Sequence, residues 1–208
     1  MDDFIGKLHD YKQRALAGDV EAQLALANAY LYGQAGVVDG KESMRWCKMA
    51  LQAGHPQAKI FYGGYHFSGL GVPKDHKIAF RWWNEAAQDG NADGQTMAAW
   101  ALSQGVGVDR NDKLAAELWL KAAAQGVANA QISIAQCYEK GLGVEKDLNA
   151  AAFWHLIGFR NNKKLAGNEV DRLHELLSPE KAGEISRSVD DYIRRHPECI
   201  RKREKTER

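Results

Sequence analysis

The sequence predicts an all-α protein, a solenoid of stacked helical hairpins, and three observations lead there. First, one spacing governs the chain. Gly18, Gly54, Gly90 and Gly126 stand 36 residues apart, and Gly33, Gly69, Gly105 and Gly141 keep the same interval. Asp39, Asp75, Asn111 and Asp147 follow it, as do Trp46, Trp82 and Trp154, with Leu118 in the remaining slot. Fixed self-similarity on this scale marks a repeat architecture. Second, the stretches between these marks are rich in Ala, Leu, Gln, Lys and Trp and nearly free of Pro, which favours helix. Third, the 208 residues are 45% hydrophobic and 26% charged, a balance that buries a core and argues against disorder.

Taken in order, residues 1–17 form a helix with an apolar stripe of Phe4, Ile5, Leu8, Tyr11, Ala15 and Leu16, expected to cap the first repeat. Four repeats follow, at 18–54, 55–90, 91–126 and 127–160. Each reads as helix A, a Gly-rich connection, helix B and a tight turn. Helix A is expected at 20–32, 56–68, 92–104 and 128–140, and helix B at 41–53, 77–89, 113–125 and 149–160. The glycines supply the positive φ that ends a helix. Asp75, Asn111 and Asp147 suit N-caps of helix B.

Helices this short are marginal alone, so stacking must bury their apolar faces. Small residues at fixed places (Ala22, Ala58, Gly94, Ala130; Ala27, Gly63, Ala99, Ala135) let backbones approach, and the tryptophans fill the space between pairs. After the repeats, 163–177 and 179–195 predict two helices within a C-terminal cap at 161–197. Ser178-Pro179-Glu180 is the start signal of the second. Residues 198–208 read as a charged, solvated tail.

The recurring Gly-x-Gly-Val loop followed by Asp or Asn, Trp82-Trp83, and the Ala86-Ala87-x-x-Gly90 turn together resemble the Sel-one-like repeat (SLR), a relative of the tetratricopeptide repeat. The resemblance covers about residues 18–160, with 55–90 the cleanest copy. The first copy departs in its loop (Gly33-Gln34-Ala35-Gly36-Val37), and the fourth at its end, where Asn161-Asn162 replaces the turn glycine. It implies a right-handed α/α superhelix that binds other proteins. Among such proteins are adaptors or immunity proteins that neutralise a toxin or secreted effector. Secreted cysteine-rich members have been linked to β-lactam binding or hydrolysis, which makes a β-lactam- or cell-wall-directed hydrolase the alternative reading, but the paired cysteines of that group are absent here.

Composition and motifs narrow the function. Lys plus Arg is 28 against 27 Asp plus Glu, a net charge of +1 that argues against a basic nucleic-acid-binding domain. No apolar run is long enough to span a membrane. The acidic start Met1-Asp2-Asp3-Phe4-Ile5 lacks a signal-peptide core. Cys47, Cys137 and Cys199 are too sparse for a disulfide framework or zinc set, so a cytoplasmic protein with reduced thiols is expected. The seven histidines form no HExxH, and His66, in register with Tyr30 and Tyr138, reads as a packed core side chain. No nucleophile motif or phosphate loop is present. The expectation is therefore a non-enzymatic module with no cofactor and no metal.

Its binding residues should lie on the helix A face opposite the stripe 22, 26 and 30, by helical spacing. Those slots hold Leu24, Asn28 and Leu31; Ile60, Gly64 and Phe67; Thr96, Trp100 and Ser103; and Ile132, Gln136 and Glu139. The adjacent slot holds Tyr32, Ser68, Gln104 and Lys140. A concave groove lined this way is apolar at its N-terminal half and polar at the other, with Trp100 a bulky knob beside Gly64, and suits a protein or peptide partner.

Overall fold

In the computed structural model residues 2–162 and 177–200 are described, and every element among them is helical. These are α1 (Asp2–Leu16), α2 (Val20–Leu31), α3 (Gly40–Gln52), α4 (Pro56–Ser68), α5 (His76–Gln88), α6 (Ala92–Gln104), α7 (Asp112–Ala124), α8 (Ala128–Lys140), α9 (Leu148–Asn161) and α10 (Pro179–Arg195), followed by a 3-10 turn at Pro197–Cys199. Successive helices pair as α2 with α3, α4 with α5, α6 with α7 and α8 with α9. Two units result: Met1–Asp89 with Val106–Val108, and Gly90–Gly105 with Asp109–Arg208. The helix expected at 163–177 and most of the tail at 198–208 fall outside the described residues.

Helix B starts one residue earlier than the sequence spacing suggested, at Gly40, His76, Asp112 and Leu148. The reason is the cap itself. The side chains of Asp39, Asp75, Asn111 and Asp147 accept N–H groups two or three residues on, so the next residue already has helical geometry. A backbone clasp fixes that cap in space. The cap N–H donates to the carbonyl nine residues back: Asp39 to Tyr30 at 3.0 Å, Asp75 to His66 at 2.8 Å, Asn111 to Leu102 at 3.0 Å and Asp147 to Tyr138 at 2.9 Å. The intervening connection thus closes on the last turn of helix A in every copy.

The second loop glycine does different work. A Cβ on Gly71 would fall well inside van der Waals contact of the Gly40 carbonyl, one on Gly107 would meet His76, and one on Gly143 would meet Asp112. All three have positive φ, and all three press the loop onto the first turn of the helix B one repeat earlier. The first loop makes no such approach, since Gly36 has open space at its Cβ position. Its shifted glycine, noted from the sequence, is thereby explained.

A polar ladder runs beside these contacts. Lys59 Nζ meets Asp89 at 2.5 Å. One period later Gln125 donates to Gln95 Oε1 at 2.9 Å and to the Gly90 carbonyl at 3.2 Å. One period later again Asn161 donates to Gln131 Oε1 at 2.8 Å and to the Gly126 carbonyl at 3.3 Å. Asn161, which looked like a broken turn in the sequence, performs the role of Gln125. The first copy has Ala53 in the partner slot, and Gln23 Oε1 is buried there with no hydrogen bond among the described residues.

Helix α1 stands in register with a helix B. The Ala15 carbonyl accepts from Gln23 Nε2 at 3.0 Å just as the Ala123 carbonyl accepts from Gln131 Nε2 at 3.0 Å. In the C-terminal unit the Cys199 carbonyl also accepts from Gln131 and Asn161, so the 3-10 turn closes the ladder's last rung.

Two stability measurements test this arrangement. Gly107→Ala, which meets both a strained φ and a backbone clash, is expected to lose about 2–4 kcal/mol in denaturant unfolding, whereas Gly90→Ala, with open space around it, loses only about 1–2 kcal/mol. Equal losses would contradict the role of the loop contact. Ala53→Gln supplies the missing donor for Gln23 and should gain about 1 kcal/mol in the same assay.

Candidate functional site

The helix A stripe expected to face helix B is buried as predicted: Ala22, Leu26 and Tyr30 in α2, and Ala130 and Ile134 in α8, are all under 9% exposed. His66 is buried at the same register, against Tyr62 with ring centroids 5.1 Å apart. The opposite face carries the residues that the sequence singles out for binding.

In the first unit Asn28, Leu31, Ile60, Gly64 and Phe67 are half-buried, and Tyr32 is 69% exposed. Leu24 departs from expectation. It is only 6% exposed and belongs to the apolar cluster that holds Leu8, Tyr11 and Ala15 of α1. The N-terminal helix covers that end of α2, so Leu24 is core rather than surface. Phe67 is also engaged. It stacks on His76 (centroids 5.2 Å, planes 27° apart), lies 5.6 Å from the Trp83 ring, and carries Lys74 Nζ 6.0 Å above it.

In the second unit Thr96, Trp100 and Glu139 are half-buried, and Gln104, Gln136 and Lys140 are exposed. The last three are brought together around one recess of about 250 Å³, between the C-terminal halves of α6 and α8 and the start of α7. Ser103, Ser133, Cys137 and Leu142 complete its polar and apolar walls, and Arg110 and Asp112 form its rim. Trp100 does not line it. The Arg110 guanidinium grips Asp112 with two hydrogen bonds of 2.9 and 2.8 Å, a bidentate fork that holds the cation in place. Gln104 donates to Ser103 Oγ at 3.1 Å, and Ser103 in turn donates to the Trp100 carbonyl at 2.8 Å.

Trp119 is the wall residue that sequence reasoning missed. Its counterpart one period earlier, Trp83, is 1% exposed and donates its indole N–H to the Ile60 carbonyl at 3.2 Å. Trp83 fits because position 63 is glycine, where a Cβ would stand 2.5 Å from its ring nitrogen. Position 99 is alanine, and Trp119 is half-buried against the recess. The signal was therefore in the sequence: Gly63 with Trp83, but Ala99 with Trp119.

The thiols do not suit nucleophilic work. Burial pushes Cys47 up to about 12 and Cys137 up to about 11, with Asp112 adding to the Cys137 shift and Lys140 opposing it. A reactive cysteine needs the reverse. All three cysteines are free and buried. Among the described residues no group of three or more His, Cys, Asp or Glu could hold a metal ion, and no helix is long and apolar enough to cross a membrane.

These raised values have a pH consequence. Tyr65, bonded to Ser43 Oγ at 2.5 Å, is likewise pushed by burial up to about 12. Above pH 9 the unfolded chain releases protons that the native one keeps, so stability is full below that pH and declines as pH rises toward 12. Thermal melts should show Tm falling from about pH 9 upward. Cys47→Ala should flatten the decline, and a Tm constant to pH 11 would contradict the assignment.

The Sel1 repeat family matches four consecutive stretches, residues 20–55, 56–91, 92–127 and 128–161. Among solved structures, a protective antigen present in uropathogenic Escherichia coli strains and displaying an SLR fold is similar with a TM-score of 0.81 and 29% identity, over 91% of this chain and 41% of that one. A Sel1 repeat protein from Oxalobacter formigenes is similar with a TM-score of 0.69 and 22% identity, over 85% of this chain and 74% of that one. The chain thus spans about two fifths of the Escherichia coli antigen. No protein of curated function matches the sequence.

Proposed function

The chain belongs to the Sel1 repeat family, whose proteins generally mediate protein–protein interaction, and we propose that it is a non-enzymatic module that holds a protein or peptide on the open face of its first helices. The observation that carries this reading is the convergence of Gln104, Gln136 and Lys140 with Trp119 around one open recess. Hydroxyl and amide groups at its edge can exchange hydrogen bonds with a polypeptide backbone, while the indole offers a large apolar surface at low entropic cost. Tryptophans so placed are the residues most often found to dominate binding, at about 2 kcal/mol or more each. Thr96, Trp100 and Glu139 extend the same face in this unit. In the first unit the corresponding face offers Asn28, Leu31, Tyr32, Ile60, Gly64 and Phe67. Cys137, in the wall of the recess, has its thiol raised by burial, which disfavours the thiolate that covalent catalysis would need.

The test is affinity capture from the native cell with wild-type protein against a Trp100→Ala, Trp119→Ala double variant of unchanged helicity. A specific partner should be retained at least about tenfold less well by the variant. Equal recovery of the same partner by both proteins would exclude this face.

A further inference from the structure

The repeat carries its own template for what the recess accepts. Position 67 in the first unit and position 103 in the second are one period apart, but the first holds phenylalanine and the second serine. Around Phe67 the chain builds a complete aromatic socket. Trp83 forms its floor, the His76 ring stacks on one side and Lys74 lies over the face. Around Ser103 the equivalent positions hold Trp119 for Trp83, Arg110 for Lys74 and Asp112 for His76, and all of them line the recess. The ring itself is missing, and the recess of about 250 Å³ lies where the side chain stops at Oγ.

We propose, resting on the binding role argued above, that this recess takes an aromatic side chain of the partner polypeptide, which completes the socket as Phe67 does in the first unit. Its size agrees. Sites for whole small molecules run at about 300–1,000 Å³, so this recess suits a single side chain. Its charge agrees as well. Arg110 and Lys140 stand against Asp112 alone among the described lining groups, and that positive rim complements the negative face of an aromatic ring. Arg110 is already oriented by its fork to Asp112, so it need not lose further freedom on binding. Ala99 is the positioning residue. It stands where the first unit has Gly63, the glycine that leaves room for the Trp83 ring.

Panning a random-peptide library against the full chain tests this. Enriched peptides should share a Phe, Tyr or Trp, and a synthetic example should shift the Trp119 indole N–H resonance. Ser103→Phe, which fills the socket from within, should weaken that peptide at least about tenfold without lowering Tm, and Trp119→Ala should weaken it comparably. Trp119→Ala also serves alone should the larger side chain fail to fold. Enriched sequences without an aromatic residue, no enrichment at all, or equal binding to these variants would overturn the inference. The broader reading stands or falls separately, by whether the native partner still depends on Trp100 and Trp119 in the capture assay.

Discussion

Among the described residues, a loop glycine lies so near the carbonyl at the start of the preceding helix B that no side chain fits between them, and much else depends on that approach. At Gly71, Gly107 and Gly143 the backbone lies where any side chain would collide. That proximity sets each of these loops against the start of an earlier helix B. It works only because the loop is already shaped by the hydrogen bond from each helix B cap to the carbonyl nine residues before it. Local geometry therefore comes first, and stacking is built upon it. The order is sensible for a repeat protein, whose stability is shared between units and their interfaces.

Along each unit the polar ladder shows how one structural task tolerates different chemistry. Lys59 with Asp89, Gln95 with Gln125 and Gln131 with Asn161 occupy equivalent pairs of positions. An ion pair serves where both partners reach solvent, and amides serve where the helix A partner, Gln95 or Gln131, is buried. In the third and fourth copies the amide in this slot also donates to a turn carbonyl, that of Gly90 or Gly126. Where the ladder meets an end of the array its pattern changes. Gln23 has one atom unsatisfied at the N-terminal end, and the Cys199 carbonyl takes the place of a further repeat at the other.

The site inverts the logic of the core. Stacking requires small residues at 27, 63, 99 and 135, but it does not require a particular one. A single methyl group, present at Ala99 and absent at Gly63, accompanies the difference between a buried Trp83 and a half-buried Trp119. Exchange of Phe67 for Ser103 then turns a filled socket into an empty one. Binding surfaces of this kind arise where the repeat varies at positions that leave the backbone contacts untouched.

The sequence by itself determined the helices, their caps and their period, because these rest on short-range forces: glycine at positive φ, carboxylates and amides at N-caps, and apolar spacing along a helix. It also marked His66 as core and Gln104, Gln136 and Lys140 as surface. What it could not decide depended on which elements lie against one another. Leu24 has the same spacing as Ile60 and Ile132, yet it is covered, since α1 occupies a place that no period in the sequence announces. Trp119 has the same spacing as Trp83 but is only half-buried, and the position that is Gly63 beside Trp83 is Ala99 one period on. Burial of a side chain is a property of its neighbours in space, and only the tertiary structure supplies them.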